Sequence, residues 1–107
     1  MATYNVKQTG SFSHTYTLTD DDGDAISLTG FTITAKARQR RKIATTQVMT
    51  VVEDDLANGV FSVQLTPTMT TTMAITQWDF DAKAVSADTL TAYFTDTEEI
   101  NIQDNIT

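Results

Sequence analysis

Cysteine is absent from the 107 residues, which excludes a disulfide framework, a thiolate zinc site and a cysteine nucleophile. Proline occurs once and glycine four times, too few for a collagen-like or low-complexity chain. Histidine is limited to His14, so the base-assisted nucleophile of hydrolase triads has one imidazole to draw on. No segment approaches the roughly 18 consecutive apolar residues of a membrane-spanning helix, and Met1 to Lys7 lacks the apolar stretch of a secretory signal. The expectation is an unexported chain with no membrane partner.

Positive charge is scarce as well. Seven Lys and Arg stand against 14 Asp and Glu, for a net charge of −7, and the repulsion of phosphates argues against nucleic acid as a partner. The distribution is uneven. Residues 1–43 hold Lys7, Lys36, Arg38, Arg40, Arg41 and Lys42, whereas residues 44–107 hold Lys83 alone among their basic positions.

What the chain has in abundance is threonine, 22 residues of 107. Threonine is β-branched, stiff at its first side-chain torsion, and suited to the solvent face of a pleated strand. The period of the apolar residues agrees, being two almost throughout. Phe12, His14, Tyr16 and Leu18 alternate with Ser11, Ser13, Thr15, Thr17 and Thr19, a strand with one face inward and hydroxyls outward. Tyr4 and Val6 form a shorter one before it.

Asp20-Asp21-Asp22-Gly23-Asp24 reads as a turn, because Gly in an Asp-Gly step accepts positive φ. Ile26 and Leu28 are expected as a short strand, Phe31 to Ala37 as a longer one, and Thr45 to Glu53 as its return after a basic tip. Asn58-Gly59 marks another turn before Val60 to Leu65. Pro67, suited to a first helical position, and Met69 and Met73, four apart, predict one short helical turn near 67–74. Trp78, Phe80, Ala82 and Ala84 alternate with charged residues, Leu90 to Thr95 pairs back across Ser86-Ala87-Asp88, and Ile100 and Ile102 mark the closing strand. The pattern predicts one domain over 1–107, an all-β antiparallel β-sandwich of about seven or eight strands.

The order of these signals resembles the immunoglobulin-like modules of tailed-phage baseplates, notably the N-terminal domain of the baseplate upper protein. The residues that carry the resemblance are Thr17-Leu18-Thr19-Asp20 through Asp22-Gly23-Asp24, the segment from Ile26 to Ile33, Asn58-Gly59 through Leu65, and Trp78-Asp79-Phe80-Asp81. The resemblance implies an immunoglobulin-like β-sandwich, made in the host cytoplasm without a signal peptide. It implies a place in the virion as a non-catalytic structural protein of tail, baseplate or capsid surface. Other virion subunits, and further copies of the chain itself, would be the partners.

Individual residues fit that expectation. His14 lies on the inward phase of its strand and reads as a core or rim histidine. Asp20, Asp22 and Asp24 superficially resemble a calcium loop, but Gly23 falls fourth and Phe31 twelfth where an EF-hand needs Gly sixth and Glu twelfth, so an acidic turn is favoured. Asp79, Asp81, Glu98 and Glu99 read as solvated carboxylates without the apolar pocket of a general acid. No catalytic, metal or cofactor site is assigned, and the chain reads as a non-enzyme with no cofactor. Arg38, Arg40, Arg41 and Lys42 are the candidate protein-interaction residues. Like charges packed this closely repel one another, and a hairpin tip would carry them away from the sheet towards an acidic partner. Sheet edges are the second expected contact. A carbohydrate-binding module is the alternative, and its aromatic platform would come from Tyr4, Tyr16, Tyr93 or Trp78.

Overall fold

A computed structural model describes residues 3–41 and 45–104. The alternating segments become nine strands among the described residues: β1 (Thr3–Lys7), β2 (Phe12–Thr17), β3 (Thr32–Gln39), β4 (Thr46–Val48), β5 (Thr50–Asp55), β6 (Val60–Leu65), β7 (Gln77–Val85), β8 (Ala92–Phe94) and β9 (Glu98–Gln103). They form two packed sheets. The larger has the order β1-β9-β7-β3-β4, with β8 joined to the far end of β7, and the smaller has the order β2-β6-β5.

The inward phase of the strands makes the core. Trp78, Phe80, Ala82 and Ala84 of β7 are all buried, as are Ala35 and Ala37 of β3, and Ala35 lies opposite Ala82 in the ladder. These alanines keep the middle of the larger sheet low, which leaves volume for Phe61, Val63 and Leu65 from β6 in the same core cluster. An aromatic group ties the sheets together: Phe80 of β7 meets Phe12 at 5.5 Å edge-on and His14 at 5.9 Å, and Tyr4 of β1 packs on both. Trp78 is 2% exposed, and its indole N–H donates to Ala74 O at 3.0 Å.

The short helix forms where Pro67 and its neighbours predict it. α1 (Pro67–Thr72) starts with Thr66, whose hydroxyl accepts from Met69 N–H, and with Pro67 in its first turn. Met73 is buried at its end and Met69 packs half-buried against the core. Thr70, also buried, donates its hydroxyl to Gly10 O at 2.8 Å and so pins the β1–β2 turn to the helix.

Three expectations are corrected. The sandwich is not wholly antiparallel, because β1 runs parallel to β9 from Thr3 beside Glu99 to Lys7 beside Gln103. Side-chain period says which face a residue takes and nothing of strand direction. Ile26 and Leu28 do not form a strand: the segment crosses the end of the sandwich as a strap, with Leu28 fully buried and Ile26 N–H, Leu28 N–H and Leu18 N–H donating to Leu18 O, Leu56 O and Gly59 O. The single return strand expected at 45–53 is two, since the chain leaves the larger sheet after Val48, buries Met49, and enters the smaller sheet at Thr50. With β4 and β5 counted separately, the described residues form nine strands rather than seven or eight.

Candidate functional site

The even-numbered residues of β3 and the odd-numbered residues of β7 share the outer face of the larger sheet. Register sets Thr34 across from Lys83, Lys36 across from Asp81 and Arg38 across from Asp79, so opposite charges face each other along the middle of the sheet. Asp79 also lies directly opposite Glu99 of β9, and two like charges in that position repel.

Arg40 resolves that repulsion. Its Nη2 stands 2.6 Å from Asp79 Oδ1 and 2.7 Å from Glu99 Oε2, its Nε donates to Asp79 Oδ2 at 3.3 Å, and its Nη1 donates to Gln77 Oε1 at 3.1 Å. These hydrogen bonds, to Asp79 first and Glu99 second, raise the affinity of the guanidinium for its proton. The backbone N–H of Arg40 bonds Gln77 O as well. The expected projecting tip is therefore corrected at this position: Arg40 lies back on its own sheet, where its acidic complement belongs to the same chain. Arg38 and Arg41 remain exposed, and the two ion pairs found among the described residues both belong to Arg40. Lys42 lies outside the described residues.

Beside Arg38 the outer face is hollowed. A shallow cavity of about 380 Å³ is lined by Lys36, Arg38, Thr46, Asp79, Asp81 and Thr97. It adjoins hollows of about 220 Å³ and about 330 Å³ that follow β3 and β7 to Thr89, sharing Lys36, Asp81, Thr34 and Lys83. Phe94 of β8 walls the middle hollow and is 68% exposed. The result is an open trough with both signs of charge and one aromatic wall.

Phe94 is the residue that sequence reasoning missed. The expected platform residues are turned elsewhere: Trp78 and Tyr16 are buried, Tyr93 stacks on Phe31 at 5.8 Å, and Tyr4 packs on Phe12 and His14. Phe94 faces outward because the ladder sets it across from Lys83, and a lysine facing water places its opposite residue on the same outer face.

The other candidate groups have local explanations. His14 sits half-buried with its ring 4.6 Å edge-on to Tyr16 and 5.3 Å from Tyr4. Asp20 Oδ1 accepts from both Asp22 N–H and Asp24 N–H at 2.9 Å, which closes the acidic turn on itself. Carboxylate oxygens of Asp20, Asp22 and Asp24 come within 4.8 Å of one another, all on exposed residues. In the turn before β8, hydrogen bonds from Ser86 hydroxyl and then Leu90 N–H hold the Asp88 carboxyl below its usual range. Burial pushes the Tyr16 phenol up to about 12, and its hydroxyl has no hydrogen-bond partner among the described residues. Thr95 acts on it in the opposite sense, while its own hydroxyl accepts from Ala82 N–H and donates to Asp96 O.

No helix among the described residues is long and apolar enough to cross a membrane. No protein-family model matches the chain, and no curated protein matches it.

Proposed function

We propose that the chain is an immunoglobulin-like, non-catalytic structural module that joins virion subunits of a tail, baseplate or capsid surface. The topology supports the first part of that reading. Lettered in chain order, with β8 as an addition, β1-β9-β7-β3-β4 follows an A′GFCC′ sheet and β2-β6-β5 follows its BED partner.

The observation that carries the docking role is the unequal use of the basic segment. Arg40 is neutralised within the sheet, while Arg38 stands exposed in the lining of the trough and Arg41, the residue after Arg40, is exposed as well. A guanidinium so placed pairs with carboxylates of a neighbouring subunit through two parallel hydrogen bonds. Arg38→Glu/Arg41→Glu is the variant to test, since reversing Arg40 would also break the internal bridge. Co-sedimentation with virion particles is expected to fall for this variant at low salt and to converge with wild type at high salt. Equal binding of both proteins at every salt concentration refutes the docking role.

A second reading rests on Phe94. An exposed ring beside Thr34, Lys36, Asp81 and Lys83 offers a sugar both a stacking surface and hydrogen-bonding groups. Glycan binding abolished by Phe94→Ala is the expected outcome of that alternative.

A further inference from the structure

We propose that two copies of the chain pair through the outer edge of β2, antiparallel and centred on His14, so that their smaller sheets become one continuous sheet. The contact deepens the assembly reading above and rests on it for its purpose, while its geometry comes from the strand alone.

Among the described residues β2 ends the smaller sheet, bonded on one side to β6. Leu18, the next residue, donates its N–H to Gly59 O, and the ladder pairs Tyr16 with Phe61 and His14 with Val63. In an antiparallel ladder the backbone groups alternate in direction, so those of Tyr16 and His14 point to β6 and those of Ser13, Thr15 and Thr17 point outward. An edge of this kind is a template for a further strand. The opposite edge of the smaller sheet is guarded by Glu53, Asp54 and Asp55 of β5, whereas β2 has no Asp, Glu, Lys or Arg.

The occupant is specified by the sequence of the strand. Ser11-Phe12-Ser13-His14-Thr15-Tyr16-Thr17 reads the same chemically in both directions, hydroxyl, aromatic, hydroxyl, histidine, hydroxyl, aromatic, hydroxyl. Antiparallel pairing about His14 sets Ser13 against Thr15, Phe12 against Tyr16 and Ser11 against Thr17 of the second copy. The register also satisfies the backbone, because the pairs that must exchange hydrogen bonds are those of Ser13 and Thr15, whose groups point outward. His14 then meets its own copy at the axis as a non-hydrogen-bonded pair. Two molecules of net charge −7 repel each other at a distance, and a charge-free edge lets them meet without adding acids at the contact.

The lack of cysteine makes the register directly readable. His14→Cys places two thiols on the axis with α-carbons about 4.5 Å apart, within disulfide reach. In Thr17→Cys the thiols lie six residues apart along the paired strands, about 20 Å. Mild oxidation of each variant at high protein concentration is expected to give a disulfide-linked dimer from His14→Cys and none from Thr17→Cys. Sedimentation of the wild-type chain up to about 1 mM is expected to show a monomer–dimer equilibrium. Ser13→Pro removes an outward N–H from each copy and is expected to weaken that equilibrium about tenfold while the far-UV dichroism stays native. Should the proline variant fail to fold, the two thiol variants decide. A chain that remains monomeric throughout, or that cross-links equally through both positions, overturns the β2 contact. The particle-binding comparison of Arg38 and Arg41 then still tests the assembly reading independently.

Discussion

Replacing Gly59 with alanine is expected to destabilise the fold far more than the same change at Gly23. Both glycines have positive φ, +72° and +84°, and an alanine held there costs about 1–2 kcal/mol. At Gly23 nothing lies within 4 Å of an added Cβ, whereas at Gly59 the added atom would stand 2.6 Å from Ile26 O and 2.8 Å from Leu18 O. Neither carbonyl can rotate away like a side chain. Leu18 O accepts from Ile26 N–H at 3.0 Å, so making room means loosening the strap, a further loss of about 1 kcal/mol or more. The sum for Gly59→Ala is about 3 kcal/mol, a large fraction of the roughly 5–15 kcal/mol that holds a domain of this size together. In thermal unfolding that corresponds to a drop of about 12–24 °C, against about 4–16 °C for Gly23→Ala. Far-UV dichroism during heating measures both. Equal losses in the two variants would refute the reasoning, because only the close approach of the strap separates them.

Trp78→Ala should cost about 3–5 kcal/mol in urea unfolding, and acrylamide should quench native Trp78 far less than the unfolded chain; a fully quenchable native indole contradicts its burial. Tyr16→Phe removes a buried hydroxyl that has no partner among the described residues, so stability at neutral pH should stay level or rise by about 1 kcal/mol. The same phenol predicts alkaline weakening. Its ordinary value is 10.0 and burial raises it to about 12 in the folded chain, so between these values the unfolded state binds fewer protons and stability falls as pH rises. The slope reaches at most about 1.4 kcal/mol per pH unit and should be shallower in Tyr16→Phe, as urea midpoints at stepped pH will show. Chelation with EDTA is expected to leave the melting temperature unchanged, because Asp20 Oδ1 already accepts from two backbone N–H groups; a sharp drop would show that the acidic turn depends on a metal.

The features legible from sequence are those decided by neighbours in the chain. Alternation placed Phe12, His14 and Tyr16 on one face, and the same rule buried Trp78, Phe80, Ala82 and Ala84. Pro67, with Met69 and Met73 four apart, was enough for the short helix. Features set by partners distant in sequence were hidden. Nothing near Met49 announces that the chain changes sheets there, and the direction of β1 depends on β9 at the other end of the sequence. Arg40 belongs to the regular outward phase of Thr34, Lys36 and Arg38, yet its partners Asp79 and Glu99 become neighbours only when β3, β7 and β9 are aligned. Phe94 illustrates the same limit, since β8 is three residues long and its facing is fixed by pairing with β7.

The parallel alignment of β1 and β9 also has a mechanical meaning. Thr3 and Gln103 lie at opposite ends of the paired strands, so tension applied through the two ends of the described chain drags one strand lengthwise past the other. The cross-strand hydrogen bonds, extended by Gln8 N–H to Gln103 O at 2.9 Å, then bear the load together in shear. An antiparallel hairpin pulled at its open end would instead surrender its bonds one after another. Stretched in this direction, the sandwich should hold until the β1–β9 seam gives way in a single step.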